Sequence, residues 1–199
     1  MDKKPEKNNL ILEATTEEFL SKGIDAASMH NIALKAEVSK RTLYKYYPSK
    51  EDLYFALIDS ILDQVSDMHS FTYNKDQSLQ ELISSVIDAK IKLTLSESFL
   101  KVSKIIFGEL LKGRSPSDQQ LERMNQSESL FINWIKQAQN DDLLTKELSP
   151  DEMANQFHSI LKGKIYWPII LGFKSKDNLN LEEIKKNTLD FFVRSFSKK

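Results

Sequence analysis

The chain has 199 residues, 40% of them hydrophobic and 29% charged, with 28 Lys and Arg against 29 Asp and Glu. This is the composition of a folded chain long enough to bury a sizeable core, and not of a disordered one. A net charge of −1 excludes a general polyanion binder, so any nucleic-acid signal has to be local.

Five glycines and five prolines are too few for the turns of a β-sandwich or barrel. The absence of cysteine removes disulfide scaffolds, thiolate metal sites and cysteine nucleophiles. Residues 1–9 are polar and lack the apolar centre of a secretory signal. The most apolar run, 165–173, is interrupted by Pro168 and falls short of the ~20 residues that span a bilayer. A cytoplasmic protein with no membrane partner is expected.

In chain order, Leu10, Ile11, Ala14, Phe19 and Leu20 give one apolar face and predict a helix over 6–22, with Gly23 as its C-cap. Ser28 then caps a short helix beginning at Met29, and Ser39 caps another that Pro48 ends. Ser49, followed by Glu51 and Asp52, opens a fourth helix carrying Leu53, Leu57, Ile61, Val65 and Met68 at steps of three or four. Longer helices are predicted over 78–95, 98–112, 117–139, 151–172 and 181–197. No segment alternates as a strand does. The expected class is all-α.

Two short helices joined by a tight turn, 28–47, form a candidate helix-turn-helix. A helix that enters a major groove needs an apolar face toward its own domain and a donor-rich face outward. Val38, Leu43 and Tyr47 supply the first. Lys40, Arg41, Thr42, Lys45 and Tyr46 are left for the second. From Ser39 to Lys50 there are four cations (Lys40, Arg41, Lys45, Lys50) and no acid, the local footprint that DNA binding requires. Arg41 has the geometry for a bidentate contact with guanine, and Thr42 for a base edge or thymine methyl. Lys40, Tyr44, Lys45, Tyr46 and Lys50 suit phosphates, which position the protein without reading sequence. The amides that follow Ser28, starting at Met29, are placed to take one more phosphate. Taken alone, such a charge run is as readily a solvated helix face.

The ordered stretch Gly23 to Ala33 and Ala36 to Leu53, with Ile32-Ala33, Val38-Ser39-Lys40, Thr42-Leu43-Tyr44, Pro48 and Ser49-Lys50-Glu51, resembles the N-terminal domain of TetR-family transcriptional regulators over residues 8–68. The resemblance implies an N-terminal three-helix helix-turn-helix DNA-binding domain and, over 69–199, a helical effector-binding and dimerisation domain. It implies a homodimer on a double-stranded, palindromic operator, released by a small-molecule effector. The alternative is an activator, or a ligand-independent regulator whose C-terminal domain binds a protein. The family commonly has glycine where this chain has Glu37. If that position takes φ > 0, glutamate costs about 1 kcal/mol. The family also often has a small residue at the place of Arg41.

Beyond residue 70, Ala154, Phe157, Leu161, Gly163 and the 168–172 stretch resemble the C-terminal subclass called AefR-like. Phe157, Leu161 and Ile165 on one helix and Ile184, Phe192 and Phe196 on another give broad apolar faces that suit a dimer interface, though ordinary core packing gives the same pattern. Effector pockets are mostly apolar with a few placed polar groups. Candidates are Phe71, Phe99, Phe107, Met124, Phe131, Trp134 and Trp167, with His158 or Tyr166 as polar groups, and a largely apolar effector follows. Aromatic stripes at helical spacing are also simply core.

The three histidines show no metal-ligand spacing, and neither metal nor cofactor is expected. No glycine-rich phosphate loop or nucleophile elbow occurs. Acidic neighbours such as Glu17-Glu18 and Glu182-Glu183 point to different helix faces and read as solvated surface. Enzymatic activity is therefore not expected.

Overall fold

The structure, a computed structural model, describes residues 3–68 and 73–198. Among these there is no strand, only an isolated bridge between Leu144 and Ser197, and the all-α class follows. No described helix is long and apolar enough to cross a membrane.

Helix α1 (Lys3–Ala26) loses helical geometry at Gly23, at φ 72° and ψ 164°, a region open to glycine and strained for other residues. Gly23 therefore ends the regular helix as its sequence position predicts. Serines open the next helices. Ser28 accepts from the Asn31 amide before α2 (Met29–Lys35), and Ser39 from the Thr42 amide before α3 (Lys40–Tyr46). Ser49 and Asp52 form a reciprocal cap at the start of α4 (Lys50–Met68), with Asp52 Oδ2 accepting from the Ser49 amide at 2.9 Å and Ser49 Oγ accepting from the Asp52 amide at 3.1 Å. There follow α5 (Leu79–Thr94), α6 (Glu97–Leu110), α7 (Asp118–Asn140) and α8 (Pro150–Leu161). The predicted 151–172 helix is realised as α8, a π-helical turn over Lys162–Tyr166, and α9 (Trp167–Ile170). A 3-10 turn (Lys176–Asn178) precedes α10 (Leu181–Phe196).

The chain packs as two units. Residues up to Asp63 pack with Glu97–Leu121, and Gln64–Ser96 pack with the chain from Glu122 onward. Helix α6, which the sequence reading placed in the second part, packs on α1 within the first unit. Periodicity shows that α6 has an apolar face, here Val102 and Ile105. It does not show which neighbour that face meets.

In the first unit, Ile11, Phe19, Ile24, Ile32, Leu43, Leu53 and Leu57 are buried. Three polar ties hold its edges. Arg114 reaches Asp25 at 3.2 Å and Glu109 at 3.1 Å. Gln120 Nε2 donates to the Phe55 carbonyl at 2.9 Å.

In the second unit, α5 packs on α10, and α10 on α8. Phe157 and Phe192 are fully buried, Phe196 and Ile165 are 1% exposed and Leu161 8% exposed. Phe192 meets Phe157 edge-on at 5.6 Å and Phe196 at 4.9 Å. Five of the six residues expected at a dimer interface therefore fill the core of the single chain and leave almost no surface for a second copy. Ile184 is the exception, and it is half-buried. An apolar stripe records that a face is covered, not whether its own chain or another covers it. Gln139, itself buried, donates through Nε2 to the carbonyls of Thr145 at 2.8 Å and Leu148 at 2.9 Å, which fixes the turn from α7 to α8.

Candidate nucleic-acid interface and the aromatic region of the second unit

The turn between α2 and α3 is a Schellman closure. The Val38 amide donates to the Ala33 carbonyl at 3.0 Å and the Glu37 amide to the Leu34 carbonyl at 3.1 Å. This pattern places the residue after the C-cap in the left-handed region. That residue is Glu37, at φ 52°. The strain expected of a glutamate in this turn is therefore present, and the turn forms despite it.

Helix α3 turns its only fully apolar residue, Leu43, inward with no exposed surface. The hydroxyl of half-buried Tyr47 donates to Asn8 on α1, and burial pushes that hydroxyl's pKa up. With Leu43 and Tyr47 anchoring one side, Lys40, Arg41, Tyr44 and Lys45 are exposed on the other. None of these three cations is paired with an acid among the described residues, so their donors face water. Thr42 and Tyr46 are half-buried. Thr42 Oγ1 lies 2.8 Å from Ser39 Oγ and shares the cap. Lys50 donates to the Asp25 carbonyl at 2.6 Å, which ties the start of α4 to the end of α1.

Ser28 and Met29, at the start of α2, are half-buried. The charge beside them belongs to Glu18. Its carboxylate is 2% exposed and accepts from Lys22 Nζ at 2.8 Å, the Ser28 amide at 3.2 Å and Asn31 Nδ2 at 3.3 Å. The hydrogen bond from Lys22 holds its carboxyl below the usual range, with further help from Ser28 and Asn31. Glu18 is thus not the solvated neighbour of Glu17 that the sequence suggested. It fills a socket between α1 and α2. The clue available was a periodic one, since Glu18 falls three and seven residues after Thr15 and Ile11 on the buried face of α1.

The aromatic candidates of the C-terminal half divide. Phe71 lies outside the described residues. Phe99 and Phe107, on α6, are half-buried members of the first unit. Met124 and Trp167 are 47% and 38% exposed, and Tyr166 meets Trp167 edge-on at 4.9 Å. Phe131, Trp134 and His158 come together. Phe131 stacks on Trp134 at 5.9 Å and faces the His158 ring at 5.4 Å. His158 Nδ1 lies 3.4 Å from Glu128 Oε1. Two members of this cluster were not read from sequence. Tyr73 meets Trp134 edge-on at 5.8 Å and donates to Asp141 at 2.8 Å. Lys90 Nζ sits 5.2 Å from the centre of the Phe131 ring.

A capped two-helix turn with a cationic, outward helix defines a helix-turn-helix DNA-binding protein. The family model for bacterial regulatory proteins of the tetR family matches residues 11–57, which runs from α1 through the turn into α4. The chain is 26% identical over 183 residues to the HTH-type transcriptional regulator LuxR of Vibrio harveyi, covering 90% of this chain and 85% of that one. It is similar to the crystal structure of a TetR-family regulator from Pseudomonas syringae pv. tomato str. DC3000, at 28% identity and a TM-score of 0.75, with both chains covered in full. It also resembles the flavonoid-responsive regulator FrrA, at 25% identity and a TM-score of 0.69, covering 98% and 99% of the two chains. Residues 11–57 carry the helix-turn-helix region of TetR-family regulators, and the chain as a whole is similar to transcriptional regulators of that family. The proteins it is similar to are transcriptional regulators.

Proposed function

We propose that the protein acts as a homodimer on a palindromic operator, represses transcription there, and is released by a small molecule bound in the second unit. The observation that carries the DNA half is the outward face of α3. Leu43 is wholly buried while Lys40, Arg41, Tyr44 and Lys45 stand exposed. Arg41 reads a guanine edge, and Thr42 a neighbouring base. Lys40, Tyr44, Lys45, Tyr46 and Lys50 hold phosphates. Because Glu18 takes the Ser28 amide, the phosphate contact at α2 falls to Met29 and the amide after it. The proposed DNA-binding domain spans 8–68, with α4 (Lys50–Met68) as its last helix, and the effector and dimerisation domain 69–199.

The second copy is proposed to cover the outer faces of α8 and α10. Gln156, Ser159, Ile160, Ile184, Asn187 and Phe191 line one groove there. Phe191, 40% exposed, gives that groove an apolar wall. Ligand responsiveness is supported by the flavonoid-responsive relative FrrA and by the charged aromatic cluster around Lys90.

The test is fluorescence anisotropy with labelled DNA flanking the protein's own gene. Wild type is expected to bind one fragment specifically, with log K falling against log salt at a slope near −7 if a dimer neutralises about 8 phosphates. A slope near zero, or no preference among fragments, overturns the reading.

A further inference from the structure

Lys90 is unusual among the lysines of this chain. It lies on α5, largely withdrawn from water, and its ammonium rests over the Phe131 ring. Among the described residues no side chain or carbonyl accepts a hydrogen bond from its Nζ. Burial pushes its pKa down to about 8, against the pull of Glu128 and with the repulsion of Lys162. A ring face attracts an ammonium but offers no lone pair to replace the water it has lost. A purely structural residue at this place needs only the four-carbon stem, which methionine or leucine supplies without the charge. The chain keeps a cation where a cation is costly, a pattern that marks binding sites.

The surroundings say what would relieve that cost. Lys162 enters from the π-helical turn, which packs on α5, and such turns recur at functional sites. His158 approaches on α8, one ring nitrogen 3.4 Å from Glu128. One carboxylate thus stands among two ammonium groups and an imidazole, so the local balance is positive. The walls are apolar. Phe131, 2% exposed, stacks on Trp134, 3% exposed, and Tyr73 extends the row.

We propose that Lys90, with His158 and Lys162, forms the anion-binding end of a ligand site in the second unit, and that its ligand is an organic acid, one negatively charged headgroup on an apolar body. Phe131 and Trp134 take the body. Lys90 gives the headgroup charge-assisted hydrogen bonds that no described residue now receives. The inference rests on the ligand-responsive reading above and adds the chemical class of the ligand.

The test uses two fluorescent probes that differ by a single anionic group, 8-anilinonaphthalene-1-sulfonate and N-phenyl-1-naphthylamine, read by energy transfer from tryptophan. Wild type is expected to bind the sulfonate at least about tenfold more tightly than the neutral amine. Lys90→Met is expected to lose about tenfold or more for the sulfonate while holding the amine within about twofold, and Lys90→Arg to keep the sulfonate preference. Equal sulfonate binding by wild type and Lys90→Met, or no preference in wild type, overturns the proposal. If Lys90→Met fails to fold by circular dichroism, competition on wild type decides. Displacement of the sulfonate by decanoate and not by decanol supports the proposal, and equal displacement overturns it. DNA release is read separately by anisotropy. Lys90-dependent binding of decanoate without release of DNA upholds the acid site and overturns the effector reading. Release by decanol equal to that by decanoate overturns the acid site and upholds the effector reading.

Discussion

The exposed lysines of α3 and the half-buried lysine of α5 carry the same group in contrasting environments. Lys40 and Lys45 stand in water, where an ammonium costs nothing to keep and is held ready for a strongly charged polymer. Lys90 stands over a phenyl ring with no hydrogen-bond acceptor among the described residues, where an ammonium is costly and has value only if a specific partner completes it. Exposed cations give affinity by number and tolerate substitution singly. A withdrawn cation gives selectivity, and its removal is felt as both a gain in stability and a loss of recognition. The proposed function uses the first kind in the first unit, to meet DNA, and the second kind in the second unit, to hold a small molecule.

The largest expected effect lies on α3. Arg41→Ala should lower affinity for the preferred fragment by about 10- to 100-fold, the weight of one bidentate base contact, and flatten the preference among fragments. Lys45→Ala should weaken all fragments alike and make the salt slope shallower by about 1 per protomer. A uniform loss in both variants would show that α3 holds phosphates only. Next is Glu18. Replacing its buried, triply bonded carboxylate in Glu18→Ala should cost about 2–3 kcal/mol of stability, read from urea unfolding. Because its folded pKa is lowered, its contribution is present above its unfolded value of about 4.5 and disappears as pH falls through the folded value.

Lys90→Met should stabilise by about 1–2 kcal/mol at pH 7. Lys45→Met on α3 should stay within about 0.5 kcal/mol of wild type. The sign follows from the direction of the shift. The folded pKa of Lys90 lies below the unfolded one, so between about 8 and 10.5 the unfolded chain holds more protons, and the penalty fades as pH rises. A thermal melt of wild type against Lys90→Met from pH 7 to 10 should therefore show the gap closing. A gap constant with pH would assign the gain to packing instead. The smallest effect is at Glu37. Glu37→Gly should relieve the left-handed strain, partly offset by glycine's freedom in the unfolded chain, and raise the melting temperature by about 2–4 °C for ~1 kcal/mol in a domain of this size.

Local chemistry wrote much of this fold into the sequence. Ser28, Ser39 and Ser49 each bond an amide three residues on, and Gly23 ends α1 through its own φ. Such interactions are complete within one turn of chain, so residue types at fixed offsets suffice to read them. Glu37 stands out only through the resemblance, which puts glycine at its position. The exposed cations of α3 needed one further inference, that Leu43 and Tyr47 face inward, and helical spacing supplies it.

What tertiary structure alone decided is who meets whom across long stretches of chain. Lys90 reads as one lysine among many until α5 and α7 bring it over Phe131. Glu18 reads as surface until α2 closes on it. Phe157, Phe192 and Phe196 could serve an interface or a core, and they became core because α5 and α8 cover them within one chain. Periodicity states that a face must be covered. Burial is a property of the whole packed unit, and so the partner on that face, and the cost of any charge placed there, are fixed only when the helices come together.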